Sequence, residues 1–250
     1  MHVIAFVSGN GGVGKTTLAA NVAVALVQRG CKVLAIDLDP QNSLRLHLGM
    51  DPEATDGLVR EGISRKAVFD SPFGANFIPF GRVRDAELAA FTAHLQATPR
   101  WVADAIDSLE PLDLDFVILD TPPGPTPYLF QALQAAHRII VVMLPDAASY
   151  ATLPQIAALA EQYTQGRPDF LGMYRLINQM PTSSRLGHQV RAATAADCPG
   201  TLVPVSIHRD PRVSQALACE RPVLAYEPGA MASLDIQYLT DWLLDSMSEE

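Results

Sequence analysis

A glycine-rich stretch near the N-terminus has the residue types and spacing of a phosphate-binding loop. Residues 9–17 read Gly-Asn-Gly-Gly-Val-Gly-Lys-Thr-Thr, which fits the pattern G-x-x-x-x-G-K-[ST]. The glycines let successive backbone N–H groups point at one anion. We expect Lys15 to contact the β- and γ-phosphates of a nucleotide and the Thr16 hydroxyl to ligate Mg²⁺. The loop residues expected to bind the nucleotide are Asn10, Gly11, Gly12, Val13, Gly14, Lys15, Thr16 and Thr17.

The sequence around this loop supports the same interpretation. An apolar run at residues 3–7 precedes it, and a helical pattern at 18–27 follows it. The motif works when a strand, the glycine loop and a helix follow one another, because the helix N-terminus then adds partial positive charge beside the phosphates. The alternative is a glycine-rich turn without a ligand, and the agreement of motif and context argues against it.

Acidic residues follow two other apolar runs. Asp37 and Asp39 end the second predicted strand, and Asp120 ends a later run at residues 116–120. A carboxylate beside a phosphate loop can hold Mg²⁺ or orient a water molecule for attack on the γ-phosphate. We expect Asp37 and Asp120 at the metal, and Gly124 in a loop that senses the γ-phosphate. An ordinary polar strand end or turn is the alternative at both positions.

Strand-length apolar runs alternate with helical patterns along the whole chain, which predicts one α/β P-loop domain over residues 1–250. Its sheet should be doubly wound and mostly parallel, with helices on both faces and the ligand beyond the carboxyl ends of the strands. Residues 51–75 show little periodicity and are interpreted as an irregular excursion. The predicted strands are 3–8, 32–37, 76–79, 116–120, 138–144, 170–178 and 201–206. The predicted helices are 15–29, 84–96, 99–110, 127–136, 150–164, 184–196, 210–219 and 230–247.

Composition limits the partners that the chain can attract. The net charge is −9 and the isoelectric point about 5.1, so there is no global basic field for nucleic acid or anionic lipid, although a local patch stays open. Three cysteines without metal-ligand spacing favour free or buried thiols in a reducing cytoplasm. We expect no signal peptide, and no apolar run reaches the ~18 residues that span a bilayer.

These motifs together resemble the deviant-P-loop ATPases, which include plasmid-partition and division-site-placing proteins (the MinD/ParA family). The likeness extends over nearly the whole length. It includes residues 11–17, 37–41, 120–124, 177–178 and, before the last helix, 221–223 and 226–230. The resemblance implies ATP sandwiched between two subunits of a homodimer, with hydrolysis releasing the dimer. It also implies that Lys15 and Asp39 are catalytic, with Asp39 positioning the attacking water. Asn178 would contact adenine, together with backbone from Pro204 to His208.

Within that family, short segments are most similar to the accessory ATPases of bacterial cellulose synthase. They lie at residues 42–46, 78–81 and 207–210. The likeness implies a protein that assembles or localises the cellulose secretion machinery at the inner membrane. For His208 and Arg209, a surface turn without a ligand stays open as the alternative.

One position departs from the family pattern. Most members have lysine where this chain has Asn10, and that lysine reaches the partner subunit's phosphates. Losing a cation that stabilises transition-state charge costs roughly 10³–10⁵ in rate in related phosphoryl-transfer systems. Asparagine is neutral but can donate an amide hydrogen to a phosphate oxygen. We therefore expect ATP binding and dimerisation to survive and hydrolysis to be slow, unless another cation such as Arg209 substitutes.

Three functions remain open from the sequence. An ATP-gated assembly factor for cellulose synthase is favoured. A DNA-segregation ATPase needs a basic surface, and the net charge of −9 argues against one. A metabolic enzyme on the same fold has no supporting motif. The acidic C-terminal end is a poor anchor for anionic lipid, and Trp242, Leu243 and Leu244 are expected to face the core. The protein is thus expected in the cytoplasm, reaching the membrane through partners and not by insertion.

Overall fold

The computed structural model describes residues 1–51, 53–109 and 113–248. Strands in this part of the chain form one sheet in the order β3-β4-β2-β5-β1-β6-β7, in which only the β3–β4 pair is antiparallel. The strands are β1 His2–Val7, β2 Val33–Asp37, β3 Phe69–Asp70, β4 Asn76–Ile78, β5 Phe116–Asp120, β6 Arg138–Met143 and β7 Gly172–Ile177.

The helices connect these strands and cover both faces of the sheet. They are α1 Lys15–Gln28, α2 Leu44–His47, α3 Leu58–Glu61, α4 Asp85–Ala97, α5 Trp101–Asp107, α6 Pro127–Ala135, α7 Ala147–Ala151, α8 Leu153–Thr164, α9 Arg185–Asp197, α10 Pro211–Ala218, α11 Val223–Tyr226 and α12 Met231–Ser248, with a 3₁₀ turn at Arg65–Ala67. The doubly wound, mostly parallel α/β fold predicted from the sequence is confirmed.

Burial on both faces explains why the central strands are continuously apolar. In β1, Val3, Ala5 and Val7 join a core that includes α4, α5, α6 and α8, while Ile4 and Phe6 join a second core that includes α1 and α12. Successive side chains of a strand point to opposite faces. A strand covered by helices on both sides therefore has no polar face to alternate with.

One predicted strand, 201–206, is wrong. This segment runs beside β7 but pairs with it only at an isolated bridge, between Arg175 and Leu202. The backbone of Val203 still donates to the carbonyl of Arg175. Beyond Val203 the segment leaves the register of a parallel ladder, since the next backbone N–H that donates to β7 is that of Ile207, to the carbonyl of Ile177.

Two predicted helices and the irregular segment also differ from the structure. The predicted helix at 150–164 consists of two helices, α7 and α8, which meet at Thr152. The predicted helix at 99–110 is confined to Trp101–Asp107, and residue 110 lies outside the described part of the chain. The segment 51–75, apart from residue 52, which is not described, contains α3, the 3₁₀ turn and β3. Such short elements give too few residues for a periodic pattern.

The C-terminal helix packs on the sheet as the sequence predicts. Leu243 is fully buried, and Trp242 and Leu244 pack against the same core. Across the residues that the structure describes, every helix is too short or too polar to cross a bilayer.

Candidate nucleotide site

The predicted phosphate loop lies at the carboxyl edge of the sheet, between the ends of three neighbouring strands. It follows β1, which is paired with β5 on one side and β6 on the other. Asp37 and Asp120 end β2 and β5 and are directly opposite each other in register. Because these strands are parallel, all three predicted segments converge on one crevice.

The conformation of the loop requires glycine at two positions. Gly12 and Gly14 have φ of +73° and +91°, in the left-handed region. A Cβ at Gly14 would also lie 2.3 Å from the Asn178 amide nitrogen. Asn178 approaches so closely because its Nδ2 donates to the carbonyl of Val13 at 2.7 Å. The end of β7 therefore supports the loop from below.

Gly9 is needed for a different reason, which is close packing. A Cβ there would lie 2.5 Å from Cβ of Thr152 and 2.6 Å from its Oγ1. Thr152 is the residue at which α7 gives way to α8. The sequence pattern does not reveal this contact, since the two residues are far apart along the chain.

Lys15 is buried at the start of α1, within the loop. Its Nζ donates to Oγ of Ser8 at 2.9 Å, and that hydroxyl donates to the carbonyl of Asn10 at 2.6 Å. Burial lowers the pKa of Lys15, while the carboxylates of Asp120 and Asp39 act in the opposite direction. The ammonium thus lies among acidic groups, where it can bridge them to a phosphate.

Asp120 is almost fully buried and its carboxylate is not satisfied. Neither oxygen makes a hydrogen bond of good geometry with a described residue. Burial raises its pKa to about 7, although the nearby Thr16 hydroxyl and Lys15 act to lower it. An unpaired buried carboxylate is costly, and an ion bound beside it would remove that cost.

Asp37 is fully buried but already has partners. Its oxygens accept the backbone N–H groups of Asp39 at 2.9 Å and Leu44 at 3.1 Å. Burial and the neighbouring Asp120 raise the pKa of Asp37 well above its usual range. The carboxylate therefore fixes the turn after β2 and the start of α2, and it places Asp39 at the cleft.

Several side chains that the sequence reasoning missed hold the loop and α1 in place. Gln179 Nε2 lies 3.4 Å from the Gly12 carbonyl. His47 Nε2 lies 3.5 Å from the Thr17 hydroxyl, and burial lowers the pKa of His47 to about 4, which leaves it neutral. Asn21 joins Thr17 to Leu224 of α11.

A cleft of about 980 Å³ extends from the loop to the start of α10. Lys15, Asp39, Asn178, His208 and Arg209 all line it. The structure thus brings most of the predicted site residues to one cavity, with Asp120 and Asp37 buried beneath it. Also at the cleft are Gly11, Gly12, Gly14, Thr16 and Thr17, whereas Val13 is buried in the second core.

The donor set fits Mg²⁺ bound together with a phosphate. No group of three His, Cys, Asp or Glu side chains suited to a metal occurs in the described part of the chain. Mg²⁺ in nucleotide sites needs no such cage, because it is held by one or two protein oxygens, waters and phosphate oxygens. Thr16 and the carboxylate of Asp120 would supply that pair of protein oxygens.

The doubly wound sheet and the glycine loop with its buried lysine define a P-loop nucleotide-binding protein. Comparison with known proteins agrees with this class. The chain is 28% identical to the chromosome-partitioning ATPase Soj of Thermus thermophilus, over 90% of this chain and 88% of that protein. It is 26% identical to the cellulose biosynthesis protein BcsQ of Salmonella typhi, over 98% of this chain and 94% of that protein.

A solved structure shares the fold. The septum site-determining protein MinD of Pyrococcus horikoshii, complexed with Mg-ADP, superposes with a TM-score of 0.79 at 25% identity, covering 97% of this chain and 95% of that one. The family model described as cellulose biosynthesis protein BcsQ matches residues 1–244. The chain belongs to this family, which is of the MinD/ParA-like P-loop type.

Proposed function

We propose that this chain binds ATP with Mg²⁺ and dimerises around it, and that the ATP-bound dimer helps to assemble or localise bacterial cellulose synthase. The observation that carries the proposal is the family match over residues 1–244, which includes the whole site. The relatives named BcsQ support the cellulose role. The lined cleft and the unsatisfied Asp120 support the nucleotide and the metal.

Each residue at the cleft has a distinct role in this proposal. The loop N–H groups and Lys15 bind the phosphates, and Thr16 with Asp120 holds Mg²⁺. Asp37 acts from behind, since its hydrogen bonds to Asp39 and Leu44 fix the turn. Asp39 accepts a hydrogen bond from the Gln41 backbone, and its carboxylate orients the attacking water.

Hydrolysis is slow in this proposal because of Asn10. The backbone of Asn10 is fixed by the Ser8 hydroxyl, but its side chain carries no charge to bring to a second subunit's phosphates. A neutral amide can hydrogen-bond to a phosphate yet cannot offset the charge that develops during phosphoryl transfer. The ATP-bound dimer is therefore long-lived, and it acts as a platform on which partners gather.

The partners are proposed to be subunits or accessory proteins of cellulose synthase. The test is a pulldown from cells with the tagged chain, with and without ATP. Enrichment of cellulose-synthase proteins only with ATP is expected. Lys15→Ala is the matched control, since it removes the phosphate contact and should abolish that enrichment.

The runner-up is a DNA-segregation ATPase, which the likeness to Soj favours. The net charge of −9 and the scarcity of lysine, with three in the sequence, argue against DNA binding. A gel shift on non-specific DNA, with ATP and at rising salt, separates the two. Salt-sensitive, ATP-dependent DNA binding, or enrichment of partition proteins in the pulldown, would overturn the cellulose role.

A further inference from the structure

The last helix, α12, has apolar side chains on two opposite sides. One side packs into the second core through four buried residues, Ala232, Ile236, Leu239 and Leu243. A surface helix normally presents polar side chains on the side opposite its core. In the first half of α12 the outward side chains are apolar instead. This helix therefore exposes a surface that the described part of its own chain does not cover.

The outward side chains of α12 follow a regular spacing. Met231, Leu234 and Tyr238 are large apolar residues that are between 45% and 66% exposed. The exposed acids Asp241 and Asp245 come next. Steps of three and four residues alternate along all five positions, so the side chains lie on one side of the helix. We call these five residues the α12 stripe.

The spacing of the α12 stripe is the one at which one α-helix packs along another. Residues in alternating steps of three and four form the seam of a coiled coil, where each side chain inserts between side chains of the facing helix. At a rise of 1.5 Å per residue, the stripe is about 21 Å long, or four helical turns. An α-helix of similar length therefore fits it.

The two acids of the α12 stripe determine the charge of that helix. Residues 231–248 include no Lys, Arg or His. Arg29 donates to Asp241 at 2.6 Å, yet the Asp241 side chain stays 53% exposed. Asp245 has no ion pair with another described residue, and it lies in the last turn, where the helix dipole disfavours negative charge. Basic side chains on the facing helix would offset both charges.

A second copy of this chain fits the α12 stripe poorly. If two copies of α12 paired in parallel, Asp241 and Asp245 would face the same acids. If they paired antiparallel, the acids would face the apolar half of the stripe. Like charges in contact and carboxylates buried against apolar groups are both costly. An anionic membrane is disfavoured too, because the acids repel it.

We infer that the α12 stripe is the docking surface for an amphipathic α-helix of another protein. That helix places apolar side chains against the first three residues of the stripe and Lys or Arg against the two acids. This surface goes beyond the proposed function, because it lies on the side of α12 opposite Ile236, which lines the nucleotide cleft. Docking therefore requires neither ATP nor the proposed dimer.

The test is photo-cross-linking in the native host, which produces the full chain with benzoylphenylalanine in place of Tyr238. Leu186, an apolar residue of α9 that is 53% exposed, is replaced in the same way in the matched control. Mass spectrometry should identify one segment of another protein that is cross-linked at position 238 and not at position 186. Its sequence should have apolar residues in steps of three and four, with Lys or Arg at one end.

A synthetic peptide of the captured segment then tests each part of the stripe, by fluorescence anisotropy with the nucleotide-free protein. Tyr238→Ala should weaken binding about 10-fold or more, whereas Leu186→Ala should leave it unchanged. Asp245→Lys should also weaken binding, and a peptide whose basic residues are replaced by Glu should restore it. A merely structural role of Asp245 would give no such restoration. All three positions are exposed, so these substitutions disturb the fold little.

The outcomes that overturn the inference are specific. They are cross-links to lipid, to a second copy of this chain or to a segment without the apolar and basic pattern. Equal cross-linking at positions 238 and 186, or no product at either, would overturn it as well. None of these results depends on ATP binding, so this inference and the proposed function fail separately.

Discussion

Replacing Asp120 by asparagine should stabilise the nucleotide-free protein and at the same time weaken its binding of Mg²⁺ and ATP. Burial raises the pKa of this carboxyl from 3.8 to about 7, a difference of about 3 units. At 1.36 kcal/mol per unit, the charged form costs the folded state about 4 kcal/mol above pH 7. Asparagine has nearly the same shape without the charge, so Asp120→Asn should recover up to about 4 kcal/mol at pH 8.

The pH dependence follows from the sign of the shift. Between pH 4 and pH 7 the folded protein takes up a proton at Asp120 more readily than the unfolded chain does. The stability contributed by this group is therefore greatest below pH 4 and is lost as the pH rises through 7. The advantage of Asp120→Asn should accordingly shrink to less than half its pH 8 value at pH 5.

The assay is urea unfolding of wild type and variant at pH 5 and pH 8, with chelator and without nucleotide. Asp70→Asn, at an exposed position of β3, is the control and should change the free energy of unfolding little. Adding Mg²⁺ and ATP should then narrow the difference. A ligand at 100 times its Kd stabilises by about 2.7 kcal/mol, and the variant should gain far less. A variant no more stable than wild type at pH 8, or a gain independent of pH, would refute the reasoning.

Three further predictions concern the loop. Lys15→Ala should abolish nucleotide binding, and tight ATP binding by that variant in a calorimetric titration would reject the site assignment. Gly9→Ala should lower the free energy of unfolding by about 1–3 kcal/mol, because its Cβ would overlap Thr152. The control is Gly11→Ala, whose Cβ would lie 3.7 Å from Pro123 and which should change the free energy of unfolding by less than about 0.5 kcal/mol. Equal unfolding curves for the two variants would contradict the packing argument. Asn10→Lys should raise ATP turnover, by up to roughly 10³-fold, if the missing charge limits the rate; phosphate release at the wild-type rate would show that it does not.

The parts of the site that the sequence predicts are local ones. The pattern of residues 9–17 and the strand that ends in Asp120 depend on neighbours in the chain, and they lie where expected. The expected role of Asp37 at the metal stays a prediction. The hydrogen bond that it accepts from Leu44 could not be predicted, because Leu44 begins α2, a helix of four residues that is too short to give a periodic pattern.

Contacts between distant segments could not be predicted. Contact with Thr152 requires a small residue at position 9, and a hydrogen bond with Asp235 holds the His208 ring. The two residues of each pair are far apart in the sequence. No spacing rule connects them, since only the packed fold brings them together. The strand expected at 201–206 did not form, because the segment leaves β7 after Val203 and returns to it only at Ile207, which its apolar pattern does not reveal.

The central claim is that ATP holds two copies of this chain together and that slow hydrolysis keeps them so. Light scattering after size exclusion tests it directly, by the molar mass with Mg²⁺-ATP and without nucleotide. We predict a mass that rises on addition of ATP to about twice the 27.0 kDa of one chain, and that persists over hours. A mass that ATP leaves unchanged would contradict the account.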